Sequence, residues 1–391
     1  MNILVIGNGF DIAHKLKTSY KDFLKFTDDF EEHYEAHRDG HELGWDNDAD
    51  LIYVRFLINF FNEANHNEIY RELVNELHGL IADNLWLQHF REVQISDGWV
   101  DFEKEISKVI QTIDFAVKNE KVPIDKNTGK FSSKLEAYVF EVISPFFEGE
   151  AATAGIKKIE ELNNRLLCDL NRTTRALELY LAYYIEDECK PDPLPIITSL
   201  KIDRVLSFNY TSTFEKLYGQ CSDDIKYDYI HGKAKKGFNV DTCNLVLGID
   251  EYLASSERDS NNYFIEFKKF YQRIYKRTGS EYKTWLGHYN EFVERTPKAN
   301  HDDIQIYFYG HSLDVTDKDI IAELIRQKNA KTTVFYHSRK ALAQQISNLV
   351  KVLGEDELIE RAGGYKPSIV FKPIERDEFD EVNNVTGGAK E

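Results

Sequence analysis

The chain has 391 residues, 42% hydrophobic and 13% aromatic, too apolar for a disordered chain. At roughly 100–200 residues per domain, this length suits two or three domains, or one domain with a large insertion. Lys plus Arg number 49 against 67 Asp plus Glu, and the resulting charge of −18 disfavours a general nucleic-acid coat. The four Cys, at 168, 189, 221 and 243, form no CxxC and no cluster with His, which fits free thiols in a reducing compartment rather than a zinc ribbon or a disulfide scaffold.

Met1–Ile6 is an aliphatic run stopped by Gly7, the pattern of a short buried strand. It is too short for a signal peptide and no basic segment precedes it. No stretch approaches the ~18 apolar residues of a membrane span, so a soluble, cytoplasmic protein without a membrane partner is expected. From Tyr20 to about Glu188 the period is helical, most clearly at Ile156, Ile159, Leu162, Leu166, Leu170, Leu177, Leu181 and Tyr184. The prolines of Lys190–Pro195 end that helix.

Strand-like runs follow at Arg204–Phe208, Tyr227–Ile230, Leu245–Ile249, Ile304–Tyr309, Thr332–Tyr336 and Ser368–Phe371. Helices separate several of them. Ser212-Thr-Phe-Glu215 has the form of a capping box, Thr316-Asp-Lys-Asp319 resembles a second, and Ser338 caps a helix over Arg339–Leu353. Strands alternating with helices predict a Rossmann-like parallel α/β sheet. Its domain comprises residues 1–30 plus 196–375, with a large helical insertion, 31–195, after the first strand. A further helical stretch lies at about 257–296. The tail, 376–391, is charged, then Gly-rich, and is expected to be disordered.

Ligands of open α/β sheets sit outside the carboxyl ends of the strands, and four candidate motifs fall there. Gly7-Asn8-Gly9-Phe10-Asp11 joins the first strand to a helix, where glycines let backbone approach a phosphate. Ile12 stands where the dinucleotide fingerprint has its third glycine, so a tight strand–helix turn is the competing reading. Asn209 ends the second strand, free of the capping duty given to Ser212 and Glu215. His231, before Gly232, ends the third and suits proton transfer near neutral pH. Gly310-His-Ser312-Leu-Asp314 follows the fourth; Asp314 suits a ribose hydroxyl, and Asp317 reads as a helix cap. Trp99-Val-Asp101-Phe-Glu103 reads as acids matching a helix dipole. Phe264–Arg277 holds five cations among aromatics, better read as the solvated face of an amphipathic helix than as a nucleic-acid site.

The order of these motifs is more telling than any one. Gly7-Asn-Gly-Phe-Asp-Ile-Ala-His14, then Thr18-Ser-Tyr-Lys-Asp-Phe23, closely resembles the start of the bacteriophage abortive-infection AbiH proteins. Trp99–Glu103, Phe208-Asn-Tyr-Thr211, His231-Gly232 and Gly310-His-Ser-Leu313 recur in that family in that order. More remotely, the skeleton is similar to the sirtuin-like NAD-binding domain. That resemblance implies Gly7, Asn8, Gly9, Phe10 and Asp11 near phosphates, and Asn209 and His231 at the reactive ribose. Gly310, Ser312 and Asp314 then belong at the distal nucleoside. Phe10 departs from it, standing where a small residue is usual, and Lys15-Leu16-Lys17 stands where many AbiH relatives carry Gly-Leu-Pro. The paired CxxC zinc module is missing, so no deacetylase is expected. The implied function is antiphage defence by cleaving the nicotinamide–ribose bond of NAD or a related nucleotide, with Asn209, His231 and Asp11 catalytic and no metal required. A phage-derived trigger or a homo-oligomer is the expected partner, with the insertion as the lock or sensor. Two alternatives stand beside it: a nucleotide sensor or regulatory subunit without catalysis, and a metal-dependent nuclease or phosphoesterase using Asp101, Glu103 and Asp11.

Overall fold

The computed structural model describes residues 1–39, 51–97, 101–119, 152–219, 224–251, 263–296 and 303–374. Trp99, Cys221 and the 376–391 tail lie outside them. The chain divides into two compact units, one of Met1–Leu16, Pro191–His231 and Gly279–Glu391, the other of Lys17–Lys190 and Gly232–Thr278. The first break therefore falls at Leu16 rather than residue 30, and a second segment, Gly232–Thr278, groups with the helices.

The first unit holds a six-stranded sheet, every neighbouring pair parallel. Its strands are β1 (Asn2–Ile6), β2 (Arg204–Ser207), β3 (Lys226–Tyr229), β4 (Ile304–Tyr309), β5 (Ala330–Tyr336) and β6 (Ile369–Pro373). The order is β3-β2-β1-β4-β5-β6, that of a doubly wound Rossmann-like fold. Both faces of such a sheet are covered, which is why β1 is apolar at successive positions rather than alternating. Ile3 and Val5 join a core with Leu206, Ile306, Phe308, Ile320, Leu324 and Leu349, while Leu4 and Ile6 join Phe10, Val205, Phe214, Tyr218 and Tyr309. Each such side chain, fully buried, contributes roughly 1.5–3 kcal/mol. The helix Arg339–Leu353 starts where the sequence places it, with Ser338 Oγ accepting from Ala341 N–H at 3.2 Å.

Asp228 of β3 does a capping job from outside its helix. Its Oδ2 accepts the Tyr282 N–H at 2.8 Å, one of the first-turn donors of the helix Glu281–Arg295. Burial, the largest influence, raises its pKa to about 6. An unfolded Asp titrates near ~3.9, so the folded chain binds the extra proton between about pH 4 and 6. Stability from this group is therefore lost as pH rises through that window. Asp228→Asn keeps an acceptor for Tyr282 without the buried charge. It should match the wild type near pH 4 and be more stable by about 3 kcal/mol at pH 7.5, at ~1.4 kcal/mol per pKa unit. A variant less stable than wild type at pH 7.5 in parallel thermal melts would refute this assignment.

The second unit is helical: Tyr20–Asp39, Leu51–His66, Glu68–Ile81, Leu85–Asp97, Phe102–Asn119 and the 28-residue Ala152–Leu179, which continues into a π-helical turn, Tyr180–Ile185. Aromatics fill its centre, with Phe102 stacked on Phe90 at 3.9 Å and on Tyr20 at 4.1 Å between ring centroids. Leu245–Ile249, expected as a strand, is not part of the sheet. Among the described residues it has one isolated bridge, Ile249 to Lys268. Its run is buried as a strand's would be, but the Gln272 side-chain amide stands in for a neighbouring strand, accepting from Leu247 N and donating to Leu247 O, both at 3.1 Å.

Of the five cations of 264–277, Arg277 is exposed, but three lysines turn inward rather than forming a solvated stripe. Lys268 pairs with Glu251 at 2.9 Å, Lys269 with Glu103 at 2.8 Å, and Lys276 donates to the Leu245 carbonyl. The helix Lys269–Lys276 instead exposes Ile274 and Tyr275, by 75% and 73%. No helix among the described residues is long and apolar enough to cross a membrane.

Candidate functional site

The strand order reverses between β1 and β4, the switch point at which such sheets place their ligands. At their carboxyl ends two turns meet backbone to backbone. Gly9 N–H donates to Gly310 O at 2.9 Å and Phe10 N–H to Gly7 O at 2.8 Å. A Cβ on Gly7 would lie 2.9 Å from Gly310 O, and one on Gly9 2.8 Å from Gly310 Cα. The glycines thus serve a close approach, as the sequence implies, but to a second turn of the same sheet. Two N–H groups assigned to a phosphate are spent inside the protein.

Phe10 is fully buried. Its ring packs 4.4 Å from His14, 5.8 Å from Tyr309 and 6.2 Å from Phe214, so the side chain belongs to the core. His14 belongs to this core too. Its Nδ1 lies 2.7 Å from Phe10 O and therefore carries the proton, which leaves Nε2 to accept from the Tyr218 hydroxyl at 2.8 Å. Burial lowers its pKa. Asn8 is exposed.

Asp11 is 1% exposed and is fixed from β2's side: Thr211 Oγ1 donates to its Oδ2 at 2.6 Å, and Thr213 Oγ1 donates to Thr211 at 3.1 Å. Ser212 sits at the N-cap of Thr213–Tyr218 but makes no side-chain cap bond, and Glu215 accepts from the Tyr229 hydroxyl instead. Ser212 thus does not supply its side-chain half of the expected capping box. Asn209 nonetheless stays out of the turn's side-chain bonding. Its backbone N–H goes to Ser207 Oγ, while its Nδ2 is buried and has no hydrogen-bond partner among the described residues.

His231 ends β3 with its ring against Phe208, centroids 5.5 Å apart, and Phe208 also lies 4.3 Å from His311. Between the two imidazoles stands Asp317, Oδ1 at 3.4 Å from His231 Nε2 and Oδ2 at 3.8 Å from His311 Nε2. Asp317 and His311 are the residues that sequence reasoning missed. Asp317 occupies the N-cap position of Lys318–Ile325 yet makes no cap bond, contrary to the cap reading; Asp314 caps the preceding turn, accepting from Thr316 N–H at 3.2 Å. Ser312 is exposed, and its carbonyl accepts from Asn348 Nδ2 at 2.9 Å.

The acids of 101–103 have partners in the helical unit. Asp101 accepts the Lys104 N–H and pairs with its ammonium at 3.1 Å, and Glu103 pairs with the buried Lys269. Among the described residues no three His, Cys, Asp or Glu side chains group as metal ligands.

Fold and site together define a doubly wound parallel α/β protein with buried Asp, Asn and His side chains at the carboxyl ends of its sheet. The chain belongs to the bacteriophage abortive infection AbiH family, whose model matches residues 3–337. That membership supports an antiphage, abortive-infection role. No curated protein and no solved structure matches the chain.

Proposed function

We propose that this protein acts in abortive infection by cleaving the nicotinamide–ribose bond of NAD or a related nucleotide at the carboxyl ends of β1 to β4. The observation that carries the reading is Asn209, a buried amide donor without an acceptor among the described residues, beside the switch point. A buried unsatisfied donor costs about 1–3 kcal/mol, a penalty that a ligand oxygen or bound water at Nδ2 removes.

In this reading Asn209 holds the ribose or the attacking water, and Asp11, fixed by Thr211, orients either. Water attacks the ribose carbon as the carbon–nitrogen bond breaks through an oxocarbenium-like centre. The bonding pair leaves with the ring, so nicotinamide departs neutral, and His231 takes the water's proton. Such a base contributes about 10²–10⁴-fold. In this reading phosphates lie over the turn Gly7–Asp11, whose Gly9 and Phe10 N–H groups are already bonded within the protein, with Ser312 and Asp314 at the distal nucleoside. Loss of the nucleotide stops the infected cell, and a phage-derived trigger releases the activity.

Asn209→Ala and His231→Ala should each stay folded, abolish nicotinamide release from NAD in the presence of EDTA, and abolish protection in phage plating. Full protection by both soluble variants would remove the catalytic proposal. Metal-dependent loss of DNA or RNA with NAD untouched would favour a nuclease. A raised melting temperature with NAD left intact would favour a sensor, because a ligand of the folded state stabilises it by mass action.

A further inference from the structure

We propose that Asp317 is a positioning residue that makes His231 a base, with His311 as a second imidazole anchored on the same carboxylate; this rests on the reading that His231 acts on the bound ligand. The two imidazole side chains are 6% and 4% exposed and the Asp317 side chain 11%, so the cluster is buried. The carboxylate's two oxygens face one Nε2 each.

The backbone decides the tautomer of His311. Leu313 N–H donates to its Nδ1 at 2.9 Å, so the neutral ring carries its proton on Nε2, toward Asp317. Holding that donor in place is costly: Leu313 is a fully buried leucine at φ +57, the left-handed region that non-glycine residues seldom adopt. Strain of this kind persists where surroundings over-determine it and clusters at functional sites.

The other oxygen then governs His231. A carboxylate facing Nε2 favours the proton on that nitrogen and leaves the lone pair on Nδ1, the atom that accepts from a ligand or water. When Nδ1 takes its proton, the negative charge beside Nε2 stabilises the imidazolium. Phe208 packs edge-on against both rings and lowers the local polarity, which strengthens that attraction. The separations exceed a tight hydrogen bond, as catalytic contacts often do before substrate binds.

The test is selective isotope labelling of histidine in the intact chain, read by NMR. Neutral His231 should carry its proton on Nε2; a proton on Nδ1 in the wild type overturns the proposal. In Asp317→Asn the His231 signals should report a tautomer mixture, kcat for NAD cleavage should fall about 10²–10⁴-fold, and KM should hold within about twofold. An unchanged kcat in the folded variant also overturns it. If Asp317→Asn does not fold, the wild-type tautomer decides alone. Activity surviving in His231→Ala instead sinks the reading of the site itself, so the two failures are distinguishable.

Discussion

Gly310→Ala should cost the first unit more than 4 kcal/mol, or prevent soluble accumulation altogether. Two penalties add. Gly310 has φ +66, and a left-handed non-glycine residue costs about 1–2 kcal/mol. Its new Cβ would also stand 2.1 Å from Phe10 N and 2.4 Å from Gly9 C, backbone atoms that cannot swing aside. To admit a methyl group, the β1 turn would have to lift from the β4 turn. That movement breaks the Gly9–Gly310 hydrogen bond and draws Phe10 out of its aromatic core. Overpacking in a core costs typically 1–3 kcal/mol even where side chains can yield. Gly364, at φ +79 with open space around it, isolates the first penalty, and Gly364→Ala should cost only about 1–2 kcal/mol. Calorimetry of both variants checks the pair. Equal losses would mean that the turn contact contributes nothing.

This contact also shows why the glycine motif reads only halfway from sequence. The spacing of Gly7 and Gly9 after an apolar strand announces a close backbone approach, but not what approaches. Here it is Gly310, some three hundred positions away, brought alongside because β1 pairs with β4. The strands were legible for the same reason that they are buried. Parallel strands under helices on both faces are continuous apolar runs, and five of the runs after β1 lie within a residue or two of β2 to β6. Leu245–Ile249 has the same appearance and fails, because a buried run states only that apolar side chains point inward. The Gln272 amide that satisfies its backbone could not be foreseen from the run.

The site was legible where position alone decides, and illegible where side-chain direction does. Asn209 and His231 stand out because they end strands. Asp317 precedes a helix, and an acid there reads as a cap. Only the three-dimensional arrangement turns its carboxylate toward two histidines from different strand ends. His311 gave no signal beyond its place after Gly310, since the donor that fixes its tautomer is a backbone N–H. The cations of 264–277 misled in the opposite sense: charge suggested the surface, whereas Lys268 and Lys269 each have a carboxylate and are buried.

A second large loss should follow Glu178→Ala in the helical unit. Glu178 is completely buried and holds three groups. Arg175, itself 1% exposed, pairs with it at 2.7 Å; Lys235 N–H donates to it at 3.3 Å; and the buried Cys243 thiol lies beside it. Burial first, and this carboxylate second, push that thiol up to about 12. Removing one partner of a buried pair leaves the other charge uncompensated, which costs about 3–5 kcal/mol. Arg175 keeps Glu76 at 2.8 Å, which places the expected loss toward the lower end. At about 2–4 °C per kcal/mol for a unit of this size, calorimetry should show the helical transition falling by roughly 6–12 °C. Glu178→Gln retains an acceptor for Arg175 and Lys235 and should lose less than half as much. In both variants Cys243 should become easier to ionise, and the rise in its alkylation rate with pH should begin at lower pH. A melting temperature unchanged in Glu178→Ala would show that Glu178 does not hold the segment 232–278 to the helices.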